Sequence, residues 1–139
     1  MPQPSAQVSV TIKHFHKIGG GKTYSSADVL LTDGGNGAVS QAGLNQPLVV
    51  NSPCSLVFSV DAAPGDDASY IPVGIALRGS PADPRGALAF PNRSVASAGT
   101  TVKLVLVDTN PARDSYDFDL VVQRSDGDLG VIDPLINNT

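Results

Sequence analysis

The sequence predicts an all-β protein, an antiparallel β-sandwich of about seven strands with an inserted hairpin or loop. Three observations lead there. Apolar residues alternate along the chain, most clearly between Thr101 and Ile136. There Val102, Leu104 and Leu106 alternate with Lys103, Val105 and Val107. Tyr116, Phe118, Leu120 and Val122 alternate with Asp117, Asp119, Val121 and Gln123. A period of two places one face of a strand against a core. The apolar runs are separated by turns rich in glycine (14 residues) and proline (11 residues), as short strands require. No segment of helical length carries a 3.6-residue period, so almost no helix is expected.

A chain of 139 residues fits one domain, residues 1–139, with 17–45 as an elaborated insertion. That length buries a core without disulfides or a structural metal. The hydrophobic content of 41% is too high for a disordered chain. Nine Lys and Arg stand against thirteen Asp and Glu, and no basic patch is visible, so no nucleic-acid partner is expected. A sheet that stacks bases would also need exposed aromatics, and the chain holds four Phe, three Tyr and no Trp. Cys54 is alone and cannot form an internal disulfide. MPQPSAQVSV lacks the charged and apolar regions of a signal peptide, and no apolar run approaches a membrane span. A cytoplasmic protein without membrane contact is the expectation.

The first strand is Gln7 to Lys13, with Val8, Val10 and Ile12 on its buried face. Residues 17–45 follow, broken by Gly19-Gly20-Gly21 and by Asp33-Gly34-Gly35-Asn36-Gly37. Val29-Leu30-Leu31 between them suits a short strand, and the whole segment reads as a hairpin added to a sheet edge. Gln46 to Asn51 and Cys54 to Asp61 are two strands, or one strand bent at Ser52-Pro53, with Leu56, Phe58 and Val60 inward. Tyr70 to Arg78 comes next, with Ile71, Val73, Ile75 and Leu77 inward. Pro72 cannot donate to a ladder, so its end of that strand belongs at an edge or a bulge. Ala87 to Phe90 and Ser94 to Ala96 are short strands broken by Pro91-Asn92. Three consecutive antiparallel strands then close the chain, the last two joined by a turn at Ser125-Asp126-Gly127-Asp128. Phe118, Leu120, Leu104, Leu106, Phe58 and Val73 are the expected core.

Some of these residues resemble an immunoglobulin-like sandwich. Asp108 followed by Tyr116-x-Phe118 is similar to the pattern that enters strand F of such domains. The resemblance implies that Tyr116 makes a tyrosine-corner hydrogen bond. It also implies that Phe118 stands where an antibody domain has its second cysteine, opposed by Val57 or Phe58 from strand B. The missing disulfide and core Trp set the chain apart from antibody domains proper. The last quarter also resembles small bacterial proteins of unknown function labelled DP-EP, in Phe90-Pro91-Asn92, Asp108-Thr109-Asn110 and Asp133-Pro134-Leu135-Ile136-Asn137. Leu135 and the lack of a Glu-Pro pair depart from that group's pattern. The resemblance implies a bacterial sandwich and no particular activity.

No catalytic, metal or cofactor residues are assigned. Gly20-Gly21-Lys22-Thr23 ends like a phosphate loop, but position 16 is His16 where a glycine is needed, and no helix pattern follows. His14 and His16 share a face if the strand continues, yet a metal needs a third or fourth ligand. Asp33, Asp61, Asp66, Asp67, Asp108, Asp114, Asp126 and Asp128 fall in loops, where turn chemistry favours aspartate with or without calcium. Cys54 lies between Pro53 and an apolar strand, where a small buried residue is expected. The reading is a non-enzymatic binding or assembly module. Val105, Val107 and Val121 point away from the core and want cover, from the 17–45 segment or from a second copy in a homo-oligomer. The alternative is a small-ligand or carbohydrate-binding protein using the 17–45 insertion and the 61–69 and 79–85 loops.

Overall fold

The computed structural model describes residues 4–21, 24–78, 83, 87–98, 101–110, 114–133 and 135–138. Among these residues there is no helix, and therefore no helix long and apolar enough to cross a membrane. The strands are β1 (Ser5–His14), β2 (Ser26–Asp33), β3 (Val39–Ser40), β4 (Leu48–Val50), β5 (Cys54–Ala62) and β6 (Tyr70–Arg78). They continue as β7 (Asn92–Ala98), β8 (Thr101–Asp108), β9 (Asp114–Arg124), β10 (Leu129–Ile132) and β11 (Leu135–Asn138).

They form two sheets. The first runs β2-β1-β5-β8-β7 and is antiparallel except where β1 lies parallel to β5. The second is organised around β9. β6 pairs along one side of it. On the other side β10 pairs with Leu120 to Gln123, and β11 pairs with Asp114 to Asp117. β4 lies parallel to β11, and β3 closes that edge.

The alternation of the sequence becomes the core. Val8, Val10 and Ile12 of β1, Leu56 and Phe58 of β5, Leu106 of β8, and Tyr116, Phe118, Leu120 and Val122 of β9 are all buried. Phe58 of β5 meets Phe118 of β9 edge-on at 5.6 Å between ring centroids, a contact between the two sheets. Phe90 packs against Tyr116 at 5.0 Å and 88°. Burying such a ring contributes ~1.5–3 kcal/mol. The side chains of Leu104 and Leu77 lie outside the described residues.

Several expectations are corrected. Val73 and Ile71 are each 37% exposed and face outward, because the β6–β9 register shifts between Pro72 and Gly74. Tyr70 and Pro72 point inward before this bulge, and Ile75 packs on the core after it. One extra residue in a strand reverses its faces. The closing strands are not three neighbours. β8 pairs with β5 and β7 in the first sheet, whereas β9 and β10 lie in the second. The chain crosses between layers after Asp108, where Asn110 takes a φ of 47°. β4 and β5 likewise belong to different sheets, so Ser52-Pro53 is a crossing and not a bend. Residues 87–89 form a turn, and the strand after Pro91 is the longer β7.

The 17–45 segment is not a hairpin on one edge. It runs down the open side between the layers. Ile18 N–H donates to the Leu129 carbonyl (2.8 Å) and Ser25 N–H to the Val131 carbonyl (2.8 Å), which covers the edge of β10. β2 then extends the first sheet, and β3 extends the second. Gly35, Asn36 and Gly37 join them with φ of 62°, 59° and 89°, a left-handed run that glycine and asparagine adopt at low cost. The outer edge of β2 is sealed by side chains. Val29 N–H donates to Asn45 Oδ1 (2.6 Å) and Leu31 N–H to Gln41 Oε1 (2.8 Å). Gln41 Nε2 and the Asn45 N–H both donate to the Val29 carbonyl at 3.0 Å. Two amide side chains thus stand in for a neighbouring strand and block edge-to-edge pairing.

Candidate functional site

The outer face of the second sheet is the candidate site. Strand pairing puts Ile71, Gln123 and Leu129 in one row across β6, β9 and β10. The next row holds Gly74, Val121 and Val131, with Val73 standing out at the bulge. Leu129 is 41% exposed, and Ile18, bonded beside it, is 54% exposed. Val121 and Val131 are half-buried. Gln123, between Ile71 and Leu129 in the first row, donates from Nε2 to the Gly127 carbonyl (3.2 Å). Asp119, at the next outward position of β9, marks one limit of the patch. The β9–β10 turn marks the other. Arg124 is held there by Asp126 (2.7 Å) and Asp128 (3.2 Å) and lies 4.3 Å over the Phe15 ring.

The outer face of the first sheet differs. Val57, Val105 and Val107 alternate there with Ser55 and Ser59 and adjoin Gln7, Ser9 and Thr11 of β1. Val105, Val107 and Val121 all remain partly exposed, since the 17–45 segment runs along the strand edges and not over either face. Of the two covers the sequence leaves open for these valines, the described part of the segment does not supply the first.

With the arrangement of the sheets established, a known fold can be matched. The chain is similar in fold to the PixA inclusion body protein of Burkholderia cenocepacia J2315. The TM-score is 0.71, over 100% of this chain and 97% of that one, at 9% sequence identity. No family model and no curated protein matches the chain. At such low identity the likeness concerns the fold and carries no residue roles.

Several of the residues singled out for chemistry make structural contacts. His14 is exposed at the end of β1, and the His16 N–H donates to Ser25 Oγ (2.7 Å). Among the described residues, no group of three or more His, Cys, Asp or Glu is placed to hold a metal ion. Lys22 and Thr23 of the Gly-Gly-Lys-Thr stretch lie outside the described residues. Four of the loop aspartates accept the N–H two residues on: Asp33 from Gly35 (2.9 Å), Asp66 from Ala68 (2.9 Å), Asp108 from Asn110 (2.8 Å) and Asp126 from Asp128 (3.1 Å). This is turn chemistry. Burial, with Asp108 alongside, pushes the Cys54 thiol up to about 12, so the thiolate is not populated at neutral pH.

The short motifs near the end of the chain also have a structural use. Asp83 accepts N–H bonds from Ala87 (2.9 Å), Leu88 (2.9 Å) and Ala89 (3.0 Å) and shapes the turn before Phe90. Thr109 N–H then donates to the Ala89 carbonyl (2.7 Å), bringing the Phe90 and Asp108-Thr109-Asn110 stretches together. Tyr116 is buried against Phe90. Sequence reasoning picked out Val121 as outward by alternation but missed Ile71 and Val73, whose faces the bulge reverses. Pro72 was the available signal, because it marks where a ladder is interrupted.

Proposed function

We propose that this chain is a non-enzymatic assembly module, bacterial and cytoplasmic, that associates with copies of itself through the outer face of its second sheet. The observation that carries the proposal is the group of exposed and half-buried apolar side chains on that face, Ile71, Val73, Val121, Leu129 and Val131. Contiguous exposed apolar surface on a sheet is a mark of an interaction site. A second copy is the favoured occupant. The side chains of the surface are uncharged, and a two-fold axis running along β9 at Val121 would lay each row of one copy on the same row of the next.

The same reading takes the fold to be immunoglobulin-like. The order β1-β5-β8-β7 follows A-B-E-D, although β1 runs parallel to β5 where A and B are antiparallel, and β6-β9 followed by β10 and β11 follows C-F-G. β4, parallel to β11, then takes the place of a split first strand. The resemblance to the DP-EP group belongs to this proposal as well. Native mass spectrometry at micromolar concentration tests the assembly. A dimer or larger species is expected, and a sole species of 14.2 kDa would overturn the proposal.

A further inference from the structure

The geometry points to a second site, a small-ligand cleft that takes a neutral sugar ring, on the side of the molecule that the 17–45 segment closes. The cleft has a volume of about 470 Å³, within the range of small-molecule sites. Its floor is apolar and comes from three strands: Val29 of β2, Leu48 of β4 and Ile132 of β10. These side chains are nearly buried, so the floor is fixed by the core beneath it and does not need a ligand to form. Tyr24, an aromatic residue of the 17–45 segment, lines the cleft and is 37% exposed. Ser26, Gln46 and Asp133 add a hydroxyl, an amide and a carboxylate at the rim.

That combination selects a ligand class. A sugar ring has a C–H face that suits an aromatic ring and an aliphatic floor, and a circumference of hydroxyls that suits amide and carboxylate groups. Among the described residues no lysine or arginine lines the cleft, and those are the side chains that hold phosphate and carboxylate ligands. This site is separate from the apolar outer face and does not depend on assembly.

Titration of the whole protein with methyl glycosides of neutral hexoses, followed by amide NMR shifts, tests the site. Saturable shifts are expected at Ala27, Gln46 and Asp133 at millimolar sugar. Tyr24→Ala should weaken binding about tenfold, the scale of one lost ring contact, while Tyr24→Phe should retain it. Tyr24 is exposed, and a preserved amide spectrum will show that the variants fold. Three results would overturn the inference: no saturable shift with any hexose, shifts indifferent to Tyr24→Ala, or tighter binding of a hexose phosphate than of the neutral hexose.

Discussion

Removing the Asn45 side chain should open the edge of β2. Asn45 Oδ1 accepts the Val29 N–H at 2.6 Å, and its Nδ2 donates to Asp28 Oδ1 at 3.0 Å. Asn45 itself sits at a φ of 64°, which glycine takes freely and alanine does not. Asn45→Gly therefore isolates the loss of the side chain. The Asp28 carboxylate is partly exposed and keeps its ion pair with Lys13 (3.3 Å), so its bond to Asn45 adds little and the cost is that of one backbone hydrogen bond at a half-buried position, ~0.5–1.5 kcal/mol. Asn45→Ala removes the same bond and adds left-handed strain, a further ~1–2 kcal/mol. Urea unfolding should rank the proteins wild type, Asn45→Gly, Asn45→Ala, with unchanged slopes. In both variants amide exchange at Val29 should accelerate, whereas exchange in β5 should follow global stability alone. Equal midpoints for the two variants, or a Val29 amide as protected as in wild type, would refute the role of Asn45 as an edge seal.

Other predictions follow from the same contacts. A Cβ on Gly130 would lie 2.6 Å from Phe15 Cε2 and 3.0 Å from Ser25 Oγ, so Gly130→Ala should cost ~1–3 kcal/mol in thermal or urea unfolding; an unchanged midpoint would mean that Phe15 moves without loss. Cys54 should react with a thiol reagent only as fast as the protein opens, since its thiol is raised to about 12; rapid labelling of the folded protein would contradict its burial. The Arg124 guanidinium, with the Asp128 N–H second, holds the Asp126 carboxyl below its ordinary value. A lowered folded pKa gives stability that is complete above the ordinary carboxylate range and is lost as pH falls through the folded value. Stability measured from about pH 5 to 2 should therefore fall less steeply for Asp126→Asn than for wild type, and identical slopes would count against the ion pair.

How far the sequence predicts this structure depends on the kind of information each element needs. Alternation alone places Val8, Val10 and Ile12, Leu56 and Phe58, and Tyr116 to Val122 on buried faces, because the period of a strand is local. Turn chemistry is local too, and Asp33, Asp66 and Asp126 behave as their neighbours suggest. Sheet membership is not local. β8 and β9 have the same pattern of apolar residues and lie in different layers, and only the crossing after Asp108 separates them. The role of Gln41 and Asn45 was hidden for a similar reason. They are ordinary loop residues until β2 presents unpaired backbone groups beside them. At the candidate face, Val121 could be read from β9, but Ile71 and Val73 could not, because the bulge after Pro72 inverts β6.

Sedimentation velocity of three proteins at micromolar concentration tests the central claim most directly. Wild type and Val105→Lys, which alters the outer face of the first sheet, should both sediment as a dimer or larger species. Val121→Lys places a charge in the middle of the apolar face of the second sheet and should sediment as a monomer of 14.2 kDa. A monomeric wild type, or association of Val121→Lys as strong as that of wild type, would contradict assembly through this face.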